Sequence, residues 1–457
     1  GCASNPATGG PSVVVMTQGK EASIGQEMYD KMMAEGAAYD DPELQAYIER
    51  IGQRLVDNSD QPDKKFTFTV IDSPDINAFA TPGGFVYVNR GLLAYLDNEA
   101  ELAGVMSHEI GHVTARHAAR QQTASITNQV LATTAYILTG SGDLAQASTM
   151  YGTELLRGYG REHELEADGL GAEYMHKAGY DTDALLEVIA VLKDQEQYQR
   201  VKAKSSGKPA GTYHGLYATH PRNDQRLKTV IGKASELDEG EQAEDPAIPG
   251  EFRQQIQGIT FGPSSQRAKN RYYHNKLGFT FAHPEGWTVQ TGSSAIIASA
   301  PDGSASLNLG IQRQDPAKTP RQVLENAATG TLSIGEELEQ AGLKGYTAVA
   351  SNGSESRRLS TLDFNRLTFR FEGKADNFAA ADPELVTIIE SFRPMAPREK
   401  QTGKSHAIQY IQVPRGATMA SLAAGLRIPD AEAQLRLING LYPRGEPRTG
   451  DWIKMIR

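Results

Sequence analysis

The chain has 457 residues, room for two to four domains. With 39% hydrophobic and 22% charged residues it has the balance of an ordinary globular protein. A net charge of -10 with no basic patch argues against nucleic acid as a main partner. The single cysteine excludes an intrachain disulfide, and no run of 18 apolar residues offers a membrane-spanning helix.

In chain order, residues 1–20 read as a flexible tether. From Ile24 to Val56, the residues Met28, Met32, Leu44, Ile48, Ile51 and Leu55 recur at helical spacing, with a break near Asp41-Pro42. Residues 66–71 alternate and are β-branched, so they predict a strand. Residues 77–84 end in a turn signal, and 85–88 predict a second strand. The two strands are expected to form a small antiparallel sheet beside the next helix. That helix is expected over 98–122, with Asn98 as N-cap, Glu101 as its reciprocal partner, and Leu102, Val105, Met106, Ile110 and Val113 on one buried face. Further helices are expected at about 123–138, 161–177 and 183–199, and a polar, glycine-containing loop at 203–215. Residues 236–245 are an acidic, linker-like run. After Gln266 strand-like runs dominate at 279–281, 287–289, 295–297 and 306–309, with helical segments near 320–330 and 384–391. The divisions expected are a tether (1–20), a mainly helical domain with a small sheet (21–265), an α+β domain (266–397), a linker (398–405) and a small module (406–457). The fold class is multidomain α+β.

Within the 98–122 helix lies His108-Glu109-Ile110-Gly111-His112, an H-E-x-x-H motif. Residues four apart share a helix face, so both imidazoles can reach one zinc ion, with the glutamate between them placed to take a proton from water. Gly104 and Gly111, a turn either side of His108, suggest close approach of another segment. A catalytic zinc site needs a third protein ligand. The best segment is 161–168, where Glu164 and Asp168 are four apart on one face and Glu162 and Glu166 point elsewhere. Glu164 suits a ligand, and Asp168 suits the carboxylate that holds a ligating histidine's other N–H. On a continuous helix His117 lies about 140° round from His112 and does not fit as a ligand. His163, His176 and His214 have no supporting spacing.

HEIGH, the Glu164 and Asp168 pair, the stretch Asn77-Ala78-Phe79-Ala80-Thr81-Pro82-Gly83-Gly84, and Thr219-His220-Pro221 with Arg226 together resemble the HtpX/CAAX-prenyl-protease family of zinc metallopeptidases, over about residues 22–235. The likeness is to its soluble periplasmic members. It implies a gluzincin-type peptidase domain with one zinc ion on His108, His112 and Glu164, Glu109 as general base and Asp168 behind a ligand. His220 would either stabilise the oxyanion or occupy the open zinc position. Asn77, Ala78, Phe79 and Ala80 would be an edge strand that pairs with an extended peptide substrate. Residues 277–287 and 388–393 are similar to PsbP/Mog1-like α+β domains. Residues 408–457 resemble a LysM-type module, a binder of peptidoglycan-like glycans, although Ala417 replaces the usual acidic residue. The opening Gly1-Cys2 resembles a processed bacterial lipobox, which implies a lipid on Cys2 and a periplasmic, membrane-anchored protein, with the outer membrane favoured by Ala3-Ser4. The function expected is zinc-dependent endopeptidase action on misfolded or stalled envelope proteins. The alternatives are a self-inhibited scaffold or chaperone and a peptidoglycan-associated binding protein.

Overall fold

In the computed structural model, two short strands, β1 (Cys2–Ser4) and β2 (Pro11–Val13), pair antiparallel, so this part of the expected tether has its own register. The residues described are 2–4, 11–13, 17–34, 36–121, 159–206, 229–230, 232–233, 236–237, 243–262, 268, 270–292, 295–396, 399 and 405–457. The expected helix at 123–138, most of the loop at 203–215, and His214, Thr219, His220, Pro221 and Arg226 lie outside them. Two units are separable. No helix among the described residues is long and apolar enough to cross a membrane.

The first unit begins with α1 (Gln18–Ala34) and α2 (Pro42–Asp57). Asp41 caps α2 by accepting from the Leu44 N–H, and Pro42 sits at the first turn, where its missing N–H costs nothing. Leu44, Ile48, Ile51 and Leu55 form the buried stripe read from the sequence.

Three strands follow, β3 (Thr67–Ile71), β4 (Ala78–Thr81) and β5 (Phe85–Asn89), in the order β3-β5-β4. The sheet is mixed, not antiparallel as expected: β5 runs antiparallel to β4 but parallel to β3. The chain descends along the sheet edge in β4, turns at 82–84, and inserts β5 between the two earlier strands. β5 is the central strand, and all five of its residues are buried, so both faces of the sheet are covered there. Among the described residues, β4 is an edge strand of this sheet, with β5 as its one neighbour.

After α3 (Arg90–Leu93), helix α4 spans Glu99–Thr114. Asn98 caps it as expected by accepting from the Glu101 N–H at 2.9 Å. The Glu101 carboxylate reaches one residue further back than expected, to the Asp97 N–H at 2.6 Å. The helix ends eight residues before the expected 122. Arg116 adopts φ 57, a left-handed conformation that halts an α-helix of L-residues, and α5 (His117–Gln121) starts in a new direction. Helices α6 (Arg161–Ala178) and α7 (Ala184–Ser206) follow, then α8 (Glu251–Ile256) and β6 (Thr260–Phe261). Gly179 at φ 95 closes α6.

The second unit is built from β7 (Arg271–His274), β8 (Phe279–Ala282), β9 (Thr288–Thr291), β10 (Ala295–Ser299), β11 (Ala305–Arg313), α9 (Pro320–Ala327), β12 (Thr331–Leu332), β13 (Glu336–Gln340), β14 (Leu343–Asn352), β15 (Glu355–Phe364), β16 (Leu367–Ala375), α10 (Phe378–Glu390) and β17 (Arg393–Pro394). Eight strands form an antiparallel sheet in the order β12-β14-β15-β16-β11-β10-β9, with β13 also on β14. Alternate residues such as Leu307, Leu309, Phe369 and Phe371 face its core. This is the sheet-rich α+β region expected after Gln266.

The chain then returns to the first unit with β18 (His406–Gln412), α11 (Met419–Ala423), α12 (Ala431–Ile438) and β19 (Trp452–Ile456). These elements share one core with α2, α4 and α6: Ile408, Leu435, Ile453 and Ile456 belong to the same apolar cluster as Ile48, Met106 and Met175. β6 extends the β18–β19 pair. Lys454, 1% exposed, donates from Nζ to the carbonyls of Ala94 (3.0 Å), Leu96 (2.5 Å) and Ile438 (2.8 Å). Two of these three acceptors lie in the loop that leads into α4.

Candidate metal centre

Helices α4 and α6 meet where both lack side-chain bulk. A Cβ on Gly111 would stand 3.1 Å from the Ala167 carbonyl oxygen, and one on Gly171 would stand 3.1 Å from the His108 nitrogen. The glycine beside His112 therefore admits a neighbouring helix, as its position suggested. Gly104 instead faces the side chain of Leu185 on α7. The close crossing brings the first turn of α6 against the HEIGH face.

Three side chains converge there. His108 and His112 are one turn apart on α4, and their Nε2 atoms are 3.0 Å apart. Glu164 of α6 places Oε2 3.3 Å from His108 Nε2 and Oε1 3.3 Å from His112 Nε2. All three are buried, and their donor atoms form a compact group among the described residues. Tetrahedral zinc with ligand distances of 2.0–2.1 Å sets its donors about 3.3 Å apart. The donor types and spacings of this triangle fit such an ion. On the far side of His108, Nδ1 lies 2.9 Å from Asp168 Oδ1. Glu164 and Asp168, four apart on α6, thus hold the same imidazole from opposite edges. Glu109 is fully buried between the two histidines in sequence.

The electrostatics favour a cation. Burial acts to discharge His108, but its bonds to Asp168 and Glu164 outweigh this and push the imidazole up to about 10. His112 is equally buried, and burial drives it well below its usual range despite Glu164. Two carboxylates are thus directed at one pair of imidazoles in a site shielded from water, an arrangement that calls for compensating positive charge.

Residues 78–80 lie in β4 as expected, and Asn77 immediately precedes the strand, its carbonyl accepting from the Asn89 N–H. Phe79 stacks on Tyr87 at 4.7 Å. A cleft lined by Ala80, Thr81, Pro82, His112, Arg116 and Tyr159 joins the end of this edge strand to the metal helix.

Sequence reasoning missed the partners of His112. The turn at Arg116 swings His117 back, and the two Nδ1 atoms are 2.7 Å apart. His117 Nε2 lies 2.9 Å from Glu166 Oε2, which also accepts from Arg120 Nη1 at 2.6 Å. Burial acts to raise the Glu166 carboxyl, but these two donors pull it down to about 2. His117 is no member of the donor triangle. The 140° separation from His112 holds only on a continuous helix, and nothing in Val113-Thr114-Ala115-Arg116 signals the break. Glu166, two residues from Glu164, does face away from the triangle. The rings of His163 and Tyr159 complete the enclosure, His163 stacked on His117 at 4.3 Å and Tyr159 on His112 at 4.0 Å.

The chain is similar to the beta-barrel assembly-enhancing protease of Escherichia coli O157:H7, 34% identical over 236 residues, which cover 48% of this chain and 46% of that one. It is also similar to the mitochondrial metalloendopeptidase OMA1 of Schizosaccharomyces pombe, 30% identical over 217 residues, or 46% of this chain and 60% of that one. It spans about half the length of the curated relatives it matches. Among solved structures, cyanobacterial PsbP from Synechocystis is similar at 16% identity over 29% of this chain and 98% of that chain; its TM-score of 0.24 is too low to bear on the fold. The HEIGH helix, Glu164 and Asp168 all lie within residues 42–233, the stretch that matches Peptidase family M48.

Proposed function

We propose that the chain is a zinc-dependent endopeptidase of the bacterial envelope, holding one ion on His108, His112 and Glu164 and cutting extended segments of misfolded or stalled envelope proteins. The observation that supports this best is the buried donor triangle with edges of 3.0 to 3.3 Å, backed by Asp168. When bound, the metal supplies Lewis acidity toward the scissile carbonyl and toward water.

The remaining chemistry belongs to the chain's own groups. Asp168 accepts the Nδ1–H of His108 and so keeps the Nε2 lone pair directed into the triangle. Glu109 takes a proton from the attacking water and delivers it to the leaving amine. The outer edge of β4 offers backbone N–H and C=O groups to an extended substrate chain, and the cleft leads from that edge to His112. His220 keeps its two alternative assignments, the oxyanion or the open metal position. The name of the Escherichia coli relative, which speaks of β-barrel assembly, supports envelope proteins as the substrate class. Lipid attachment at Cys2 and glycan binding by residues 406–457 are separate proposals resting on sequence motifs; mass spectrometry and a peptidoglycan pull-down of the intact protein test them.

The test compares zinc content and casein cleavage in the parent and in Glu109→Gln. The variant is expected to retain zinc and to lose cleavage by at least about 100-fold, the usual scale for a general base. A parent without zinc, a zinc-loaded parent that leaves casein intact, or a variant as active as the parent would each overturn the proposal.

A further inference from the structure

The two histidines of the triangle are held differently. His108 has a carboxylate behind it, whereas the atom behind His112 is a nitrogen of another imidazole, His117 Nδ1, at 2.7 Å. Two neutral imidazoles can share that contact in one sense only once the Nε2 of His112 serves as a ligand. His112 then carries its proton on Nδ1 and donates it to His117 Nδ1. His117, accepting there, must carry its own proton on Nε2, where Glu166 Oε2 accepts at 2.9 Å. Glu166 cannot turn away, because Arg120 Nη1 donates to the same oxygen at 2.6 Å.

From this we infer that Glu166 and His117 form a hydrogen-bonded relay that fixes the tautomer and orientation of His112 as a metal ligand. The inference rests on the metal site proposed above. The two arms of the site then run in parallel. Asp168 sets His108 directly, and Glu166 sets His112 through one intervening ring. Both carboxylates come from α6, two and four residues after Glu164, so one helix presents a ligand and orients both of the others. The His112 and His117 rings meet at 71°, and each is held by a stacked neighbour, Tyr159 at 4.0 Å on the face of His112 and His163 at 4.3 Å on the face of His117. The left-handed turn at Arg116 is the local feature that makes the relay possible, since on a continuing helix His117 would point away from His112.

His117 and Glu166 are positioning residues, so the test reads metal binding and tautomer state, not activity. The metal-free full-length protein is titrated with Zn²⁺ against a chromophoric chelator, and with Co²⁺ while the visible absorption of the bound ion is recorded. His117→Phe keeps the ring stack but removes the acceptor, and is expected to weaken Zn²⁺ binding about 10- to 100-fold, the usual effect of removing a partner behind a ligand, and to alter the Co²⁺ spectrum. His117→Asn, which keeps an acceptor oxygen toward His112, is expected to recover most of the affinity. Glu166→Gln leaves both histidines in place and is expected to cost less than His117→Phe. In the zinc-loaded parent, ¹⁵N shifts of labelled histidines are expected to show the proton on Nδ1 of His112 and on Nε2 of His117. Unchanged zinc affinity in His117→Phe, or the opposite tautomers in the parent, overturns the relay. Should His117→Phe fail to fold, the Glu166→Gln titration and the parent's ¹⁵N shifts decide the matter. A parent that binds no zinc refutes the metal site itself, a result distinct from either of these.

Discussion

Replacing Lys454 by methionine tests whether the C-terminal elements are part of the unit that holds His108, His112 and Glu164. Methionine fills the volume of the lysine stem without its charge. It also leaves the carbonyls of Ala94, Leu96 and Ile438 without the donor they share. Hydrogen bonds from a charged donor contribute roughly 1.5–3 kcal/mol each, and each buried acceptor left without a donor costs roughly 1–3 kcal/mol. Against this stands the desolvation of the ammonium, several kcal/mol, which the variant no longer incurs. Where both partners of a buried polar pair are side chains, both can be exchanged for apolar groups at little cost. Here the acceptors are backbone and remain. With three neutral carbonyls left without this donor and the ammonium's desolvation recovered, the net loss is about 3 kcal/mol. For a unit of this size that is on the order of 10 °C in midpoint. The assay is differential scanning calorimetry of the full-length parent and of K454M, with zinc release followed over the same temperature range. The first unit is expected to melt earlier as a whole, with zinc leaving in the same transition. A change below about 1 kcal/mol, or early melting with zinc release unmoved, would refute the reasoning, because the tail would then unfold by itself.

Two further perturbations follow from the same region. Burial raises the Glu101 carboxyl to about 7 although the Asp97 N–H and Lys454 act to lower it. A carboxyl raised in the fold stabilises most below its unfolded value near 4.3 and loses that contribution as pH rises through 7, here about 3 kcal/mol. Glu101→Gln should therefore gain in midpoint relative to the parent between pH 5 and pH 8, and a pH-independent difference between the two would contradict this. Gly111→Ala would gain about 1 kcal/mol at an ordinary helix position. Here its Cβ meets the backbone of Ala167 at 3.1 and 3.3 Å, atoms that cannot rotate aside, so the variant should be less stable and bind zinc more weakly. A stabilised variant would show that α4 and α6 have room to spare.

The donor triangle was legible because its information is local. His108 and His112 are spaced by four on one helix, Glu164 and Asp168 by four on another, and helix geometry turns each spacing into a shared face. The glycine at 111 announced that a second segment would come close, though not which one. The relay behind His112 was illegible because it depends on one residue, Arg116, adopting a conformation that arginine disfavours and that only its packed surroundings impose. The parallel pairing of β3 and β5 was illegible for a different reason: strand alternation tells which face is buried and is silent on which strand is inserted between which. Lys454 is the strongest case. A lysine in an alternating terminal strand reads as solvated, and only the tertiary fold turns it into the anchor of the loop before α4.

That anchor also sets a clock. A ribosome adds roughly 5–20 residues per second, so His112 is in place roughly 20 to 70 s before Lys454 is made. Throughout that interval the loop at 94–97 has no ammonium to gather its carbonyls, and the core shared by α2, α4 and α6 lacks the side chains of β18, α12 and β19. Contacts that bridge more than three hundred residues also slow folding, because the intervening chain must be closed before they form. The HEIGH helix is thus synthesised well before the residues that complete its core.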